Sequence, residues 1–213
     1  MDGFLEIVEL IGTVAFAVSG AAIGIRKGMD IFGVIILGAV TAVGGGILRD
    51  LMIGLTPPQC FRDPVYLVVA CLSAMVFFLP VLRQPLQRRQ RAFDWVLLGM
   101  DSVGLAAFTV AGIQTAQRVS TEFGVILLVC VGVLTGTGGG VLRDLLAGDM
   151  PYIFRKHIYA TASMAGAALY LLLQPWAGDY AAAAAAMLLV VVIRLLSAAF
   201  RWNLPHAHPP QGE

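Results

Sequence analysis

The sequence has few charged residues. Lysine, arginine, aspartate and glutamate make up only 13% of its 213 residues, whereas a soluble globular domain has about 25%. Apolar residues make up 59% of the chain, which is more than a water-soluble core of this size buries. The sequence therefore predicts an integral membrane protein. Its continuous apolar runs favour membrane helices over a β-barrel, whose strands alternate.

Other absences exclude several classes of function. The net charge of +1 gives no indication of a nucleic-acid partner. The three cysteines, Cys60, Cys71 and Cys130, lack the spacing of a metal site or of a paired motif. The glycine-rich segments match neither a dinucleotide fingerprint nor a phosphate loop. We therefore expect no enzymatic activity, no bound metal and no cofactor.

Seven stretches are apolar and long enough, at roughly 20 residues, to cross a bilayer as helices. They cover about residues 4–25, 31–53, 64–82, 93–113, 123–147, 153–173 and 180–200. The links between them are too short to hold a separate soluble domain. We therefore expect one membrane domain over residues 1–200, followed by a short cytoplasmic tail at 201–213.

Basic residues cluster after alternate spans, namely the first, third, fifth and seventh. They are Arg26 and Lys27, then Arg83, Arg88, Arg89 and Arg91, then Arg155 and Lys156, and finally Arg201. Because lysine and arginine collect on the cytoplasmic side of short loops, this pattern predicts an outside N-terminus and a cytoplasmic C-terminus. The expected location is the cell (inner) membrane, which the chain crosses several times.

A glycine-rich decapeptide occurs twice, as "TAVGGGILRD" at 41–50 and as "TGTGGGVLRD" at 135–144. Equivalent residues on either side of it are also 91 to 94 positions apart. Each copy holds three spans, repeat 1 at about 4–82 and repeat 2 at about 93–173. Because three is odd, the second copy must cross the membrane in the opposite direction. Inverted repeats of this kind are typical of transporters and pores, and the span at about 180–200 lies outside the duplication.

Each decapeptide carries three consecutive glycines. They are Gly44, Gly45 and Gly46 in the first copy and Gly138, Gly139 and Gly140 in the second. A glycine inside a helix costs ~1 kcal/mol relative to alanine, so three together predict local unwinding and a kink. The freed carbonyl oxygens, with the hydroxyls of Thr41, Thr135 and Thr137, would then bind a dehydrated cation. The alternative is close helix packing, which small residues also permit in membranes.

Six ionisable residues fall inside predicted spans or near their ends. They are Glu9, Arg49, Asp50, Asp101, Arg143 and Asp144. Ionisable residues within membrane spans mark ion pathways or gates by default, although an arginine can also extend towards the lipid headgroups. Little bonding is expected within each Arg-Asp neighbour pair, because adjacent helix positions do not face each other.

The inverted topology fixes the depth of four of these residues. Glu9 and Arg49 fall in the outer third of the membrane, whereas Asp101 and Arg143 fall in its cytoplasmic half. Opposite charges at the same depth predict two ion pairs or water-bridged contacts, Glu9 with Arg49 and Asp101 with Arg143, one on each side of the glycine constriction. Pairing would also prevent an arginine beside a cation path from repelling the cation.

The duplicated "GGG-x-L-R-D-L" string, in two inverted three-helix repeats with a seventh span, resembles the prokaryotic branch of the trimeric intracellular cation channels. The resemblance covers about residues 5–200 and is most specific at 44–50 and 138–144. It implies a homotrimer in the membrane lipid, with an hourglass pore inside each protomer that is kinked at the two glycine triplets. It also implies conduction of monovalent cations, mainly K⁺, with poor discrimination against Na⁺.

Domains with this duplicated pattern have also been labelled glycine transporters. A secondary carrier for a small zwitterion such as glycine is therefore the alternative function, and a structural or assembly protein of the membrane is a third. We favour a channel that passes K⁺ down its electrochemical gradient.

Overall fold

The computed structural model describes residues 2–81, 89–155, 158–200 and 202, and it is built of α-helices. The helices are α1 (Asp2–Arg26), α2 (Ile31–Met52), α3 (Gln59–Arg62), α4 (Val65–Phe78), α5 (Gln90–Val119), α6 (Val125–Leu146), α7 (Tyr152–Arg155) and α8 (Ile158–Ala199). Within the described residues, five helices, α1, α2, α5, α6 and α8, are long and apolar enough to cross a membrane, and α4 is a shorter apolar helix. The predicted all-α membrane class is confirmed.

The two glycine-rich helices, α2 and α6, end in the same way. Gly54 after α2 and Gly148 after α6 have positive φ angles of 77° and 70°, which glycine adopts easily because it has no β-carbon. The amide of the following residue donates to the carbonyl oxygen of Asp50 at 2.8 Å in one case and of Asp144 at 2.9 Å in the other. This Schellman arrangement fixes where the chain leaves each helix, just beyond the Arg-Asp pair.

The packing of the long helices follows the duplication of the sequence. Helices α1, α2 and α4, which come from repeat 1, all pack against one another. Helices α5, α6 and α8 form the corresponding group from repeat 2. The two groups meet mainly where α1 packs on α5 and where α2 packs on α6, so equivalent helices of the two copies contact each other.

The longest helix, α8, contains a break at Gly178, where φ is 75° and ψ is 168°. The break divides α8 into segments 158–177 and 179–199, which correspond to the predicted sixth and seventh spans. We placed the start of the sixth span at residue 153, but 152–155 form the separate short helix α7. Helix α3 is the counterpart of α7 in repeat 1, and neither short helix was predicted.

Two other boundaries differ from the prediction. The fourth span, predicted at 93–113, is the middle of the thirty-residue helix α5. Its polar extension continues as helix because Gln114 and Thr115 are buried against neighbouring helices instead of lying in a loop. The third span, predicted at 64–82, corresponds to α4, which ends at Phe78. The basic link 82–88 and the predicted tail 201–213, apart from Trp202, lie outside the described residues.

Candidate functional site

The glycine triplets lie where α2 crosses α6. Gly45 lies directly against the backbone carbonyl oxygen of Thr135, and Gly139 lies in the same way against that of Thr41. A β-carbon on either glycine would overlap the oxygen, so only glycine permits this approach. Since Gly45 and Gly139 are repeat equivalents, as are Thr41 and Thr135, the contact is reciprocal. Reciprocal contacts of this kind indicate a local two-fold axis between the two copies.

A leucine side chain of the opposite helix packs against the first glycine of each triplet. A β-carbon on Gly44 would lie 2.6 Å from Leu142 Cδ1, and one on Gly138 would lie 3.0 Å from Leu48 Cδ1. The two leucines are themselves repeat equivalents, so this contact is reciprocal as well. The crossing is therefore tightly packed by backbone and leucine side chains.

The third glycine of each triplet lies beside an arginine of its own helix, but only Gly46 has open space around it. A β-carbon on Gly46 would lie 3.8 Å from Arg49 Nη2, whereas one on Gly140 would lie 3.8 Å from Arg143 Nη2 and 2.7 Å from the hydroxyl oxygen of Tyr159. Each guanidinium group thus folds back along its helix towards the crossing. The three consecutive glycines of each triplet therefore have three different sets of neighbours.

The predicted unwinding at the triplets is wrong. Helices α2 and α6 are continuous from Ile31 to Met52 and from Val125 to Leu146. The physical reason is that the first two glycines of each triplet are packed against the opposite helix, and no water competes for the backbone hydrogen bonds inside the membrane. Close packing, the alternative that the sequence left open, is what the crossing contains.

The threonine hydroxyls predicted as cation ligands are engaged within their own helices. Thr41 Oγ1 donates to the carbonyl oxygen of Leu37 at 2.6 Å, and Thr135 Oγ1 donates to that of Val131 at 2.6 Å. The third hydroxyl, of Thr137, donates in the same way to the carbonyl oxygen four residues earlier, at 2.7 Å. These hydroxyls therefore add packing and hydrogen bonds to the crossing in this conformation.

Two phenylalanines at equivalent positions of the two repeats pack together in the middle of the molecule, next to the crossing. Phe16 of α1 and Phe108 of α5 are in contact, with ring centroids 5.3 Å apart. Gly12 lies against the ring of Phe108, and Gly104 lies against the ring of Phe16. The middle of the molecule is thus an apolar layer of glycine and phenylalanine.

On one side of this layer lies the first charged cluster, formed by Glu9, Arg49, Asp50, Gln59 and Tyr66. Arg49 Nη1 is 3.2 Å from Glu9 Oε1, and Arg49 Nε is 2.8 Å from Asp50 Oδ1. Asp50 Oδ2 also accepts a hydrogen bond from the backbone amide of Gln59 at 2.7 Å. The hydroxyl of Tyr66 donates to the Glu9 carboxylate. Glu9, Arg49 and Asp50 are each at most 5% exposed.

On the other side lies the second charged cluster, formed by Ser19, Asp101, Arg143, Asp144 and Arg194. Arg143 Nη1 lies 2.6 Å from Asp101 Oδ1 and donates to Ser19 Oγ at the same distance. Arg143 Nε donates to Asp144 Oδ1 at 2.9 Å. Arg194 Nη2 lies 3.3 Å from the other oxygen of Asp101, Oδ2. The four charged residues of this cluster are all buried.

Both ion pairs predicted from the inverted topology, Glu9 with Arg49 and Asp101 with Arg143, are therefore present. The expectation that each arginine would not bond its aspartate neighbour is wrong. The arginine side chain is long enough to bend round its own backbone, so its Nε reaches the adjacent carboxylate. Each aspartate then connects the arginine to the start of a short helix, since Asp144 Oδ2 accepts from the amide of Tyr152 at 2.7 Å, just as Asp50 does from that of Gln59.

Arg194 was missed by the sequence analysis, although it belongs to the second cluster. It lies in segment 179–199 of α8, outside the duplication, and it is 2% exposed. Its guanidinium carbon is 4.8 Å from the ring centroid of Tyr159 and 5.6 Å from that of Tyr152. The signal was available, because an arginine within the apolar run "MLLVVVIRLLSAAF" is the kind of membrane-buried charge that indicates function.

Each cluster borders a cavity. The first borders a small cavity of about 40 Å³, which also contacts Gly46 and Phe108. The second borders a larger cavity of about 660 Å³, which extends to the exposed residues Arg91 and Asp94. The glycine and phenylalanine layer thus lies between two buried charged clusters, each of which borders a cavity.

Comparison with known proteins places the chain in a family of duplicated membrane proteins. A family model described as "Glycine transporter" matches it twice, at residues 6–81 and 98–175. The UPF0126 membrane protein of Deinococcus radiodurans is 41% identical over 97% of this chain and 94% of its own length. The UPF0126 inner membrane protein YadS of Escherichia coli K12 is 42% identical over 76% of this chain and 75% of its own length.

Solved structures with the same fold decide the family. A prokaryotic TRIC channel crystallised in 0.5 M KCl superposes with a TM-score of 0.85 at 31% identity, covering 96% of this chain and 100% of that one. The TRIC trimeric intracellular cation channel orthologue of Rhodobacter sphaeroides superposes with a TM-score of 0.84 at 36% identity, covering 93% and 99% of the two chains. The chain belongs to the TRIC channel family.

Membership in the TRIC family accounts for the main features of the site. It identifies the chain as a multi-pass membrane protein whose structural neighbours are cation channels. The two matches of the family model coincide with the two copies of the decapeptide, which lie at 41–50 and 135–144. In this TRIC-family chain, the charged clusters and the glycine crossing are the candidate elements of the ion path.

Proposed function

We propose that this chain is a monovalent cation channel, permeable to K⁺ and Na⁺, with one pore inside each protomer of a homotrimer. The observation that carries the proposal is the pair of buried charged clusters on either side of the apolar layer, each bordering a cavity, in a chain with the TRIC fold. The path runs from the first cluster, along the crossing of α2 and α6, to the second cluster. We take the described conformation as the closed state, because glycine backbone and leucine side chains pack the crossing tightly.

The proposed topology has seven spans and an outside N-terminus, within the single membrane domain 1–200. The spans are α1, α2, α4, α5, α6 and the two segments of α8. In this proposed topology the first cluster lies towards the outside and the second towards the cytoplasm. The fourteen-residue helix α4 is about 21 Å long, so it is the shortest span and needs its flanking residues to reach both headgroup layers.

The charges of the clusters suit a cation path. Both arginines of the decapeptides, Arg49 and Arg143, are held by carboxylates, so neither is a free positive charge beside the path. In the first cluster two carboxylates face one guanidinium, which gives a formal charge of −1. In the second cluster Arg194 brings the formal charge to zero. We propose that cations are concentrated at the first cluster and that opening requires α2 and α6 to separate at the glycines.

One specific observation favours the alternative function, that of a carrier. The matching family model is described as a glycine transporter. A carrier of this kind binds its substrate at a broken helix near the middle of the membrane, whereas α2 and α6 are continuous through their glycines. This continuity favours a channel whose path lies between the helices over a carrier whose site lies in unwound backbone.

Flux measurements on purified protein in liposomes separate the two functions. A channel gives rapid uptake of ⁸⁶Rb⁺, as a K⁺ substitute, that does not saturate at millimolar salt and does not require glycine. A carrier gives slow, saturable uptake of labelled glycine and little ⁸⁶Rb⁺ uptake on its own, which would refute the proposal. Native mass spectrometry of the same sample tests the homotrimer, and a monomeric mass at all detergent concentrations would refute that part.

A further inference from the structure

The two clusters differ at one position, although they are related by the duplication. In the first cluster, the carboxylate of Glu9 accepts hydrogen bonds from Arg49 and from the hydroxyl of Tyr66. Glu9 corresponds to Asp101 in the second cluster, and Tyr66 corresponds to Tyr159. The symmetric arrangement would therefore have the hydroxyl of Tyr159 donating to Asp101.

In the second cluster, a contact between Arg194 and Asp101 takes the place of that hydrogen bond. Its Nη2 lies 3.3 Å from Asp101 Oδ2, and its guanidinium group covers the ring of Tyr159 at 4.8 Å. The hydroxyl of Tyr159 has no hydrogen-bond partner within the described part of the chain, although the residue is only 1% exposed. A buried hydroxyl without a hydrogen-bond partner is energetically unfavourable. Next to Arg194 the hydroxyl of Tyr159 is in this unfavourable state, whereas that of its counterpart Tyr66 is not.

Arg194 is also held less firmly than the other arginine of the cluster. Arg143 makes three short contacts, to Asp101 and Ser19 at 2.6 Å and to Asp144 at 2.9 Å. Arg194 has one longer contact to a carboxylate, and its Nε lacks a partner among the described residues. It lies on segment 179–199, which the break at Gly178 separates from the remainder of α8. Of the two arginines that contact Asp101, Arg194 is therefore the one that can move away from the carboxylate.

We infer that Arg194 is a tethered cation that occupies the cation-binding side of Asp101 and thereby limits permeation through the second cluster. The inference rests on the proposed channel function. When Arg194 leaves, Asp101 exposes an oxygen to a permeant cation and Tyr159 becomes free to donate to Asp101, as Tyr66 does to Glu9. The formal charge of the second cluster then falls from zero to −1 and equals that of the first.

The direct test replaces Arg194 by glutamine and measures K⁺ current per protein in planar bilayers. Freeing the Asp101 carboxylate for a permeant cation is expected to raise the current by about tenfold. Arg194→Lys keeps the charge but loses the planar contact with Tyr159, so its current should remain close to that of the wild type. The matched control is Arg26→Gln, which removes a charge from the same cavity but not from Asp101. A folded Arg194→Gln variant with unchanged or lower current, or an equal gain in Arg26→Gln, would overturn the inference.

A second measurement tests the premise that Tyr159 does not hold Asp101, and it does so even if Arg194→Gln fails to fold. Tyr66→Phe removes a hydroxyl that holds Glu9, so it should lower the unfolding temperature. Tyr159→Phe removes a hydroxyl without a partner, so it should leave the unfolding temperature unchanged or raise it. Equal losses in the two variants would mean that Tyr159 already holds Asp101, which contradicts the inference. Absence of any wild-type cation current would instead refute the proposed function alone.

Discussion

Gly45 lies against the carbonyl oxygen of Thr135 so closely that no other residue fits there, and the relationship is repeated by Gly139 and Thr41. Two helices of opposite copies thus approach at their backbones. Such an approach allows weak Cα–H···O contacts in place of side-chain packing. The crossing lies between the two charged clusters.

The first prediction separates the glycines of one triplet. Gly45→Ala is expected to destabilise the protein by about 1–3 kcal/mol, because its β-carbon overlaps a backbone carbonyl that cannot move away. Gly46→Ala is the matched control, since its β-carbon meets only Arg49 Nη2 at 3.8 Å and alanine favours the helix by ~1 kcal/mol. Thermal unfolding in detergent measures both. Equal effects of the two substitutions would contradict the packing role of Gly45.

The second prediction compares the two paired arginines. Arg49→Met leaves Glu9 and Asp50 without a cation and should cost about 3–5 kcal/mol, as expected for an uncompensated buried charge. Arg143→Met should cost less, because Arg194 still pairs with Asp101. Folded yield and unfolding temperature provide the comparison. A larger loss for Arg143→Met would show that Arg194 does not compensate.

The third prediction concerns the negative charge of the first cluster. Glu9→Gln changes its formal charge from −1 to zero while keeping an acceptor for Tyr66, so K⁺ conductance should fall by about tenfold. Glu6→Gln is the control, because Glu6 lies on the same helix but is exposed. Single-channel amplitudes at low salt give the readout. Similar conductance in Glu9→Gln and wild type would place the ion path elsewhere.

The fourth prediction tests orientation. With Cys60, Cys71 and Cys130 replaced, a cysteine at Thr121 should react with an impermeant thiol reagent from outside, and one at Met150 should not. Both positions are exposed and lie at opposite ends of α6. Replacing Cys60 removes little background, because burial raises the pKa of its thiol and slows its reaction. The opposite labelling pattern would reverse the topology and exchange the sides of the two clusters.

Much of this site could be predicted from the sequence, because the inverted repeat determines how deep in the membrane each residue lies. Because each copy has an odd number of spans, the second copy is inverted, and this gives the membrane depth of Glu9, Arg49, Asp101 and Arg143. Opposite charges at the same depth are then expected to form ion pairs. The direction in which a side chain projects around its helix cannot be read in this way. The bond from Arg49 to the neighbouring Asp50 was therefore missed.

The role of the glycines could not be settled from helix propensity. Propensity predicts that three glycines weaken a helix, but the opposite helix packs into the space that they leave. The residues that fill this space are 90 to 98 positions away in sequence, so they are visible only in the fold. Arg194 was missed for a different reason, since it lies outside the duplication and has no equivalent in repeat 1 that would have drawn attention to it.

The most direct test of the central claim is the reversal potential of single-channel currents from purified protein in a planar bilayer with a tenfold KCl gradient. The account predicts discrete openings with a reversal potential close to that of K⁺, and a smaller shift when Na⁺ replaces K⁺ on one side. A reversal potential close to that of Cl⁻, or the absence of openings in protein that exchanges labelled glycine, would contradict the account.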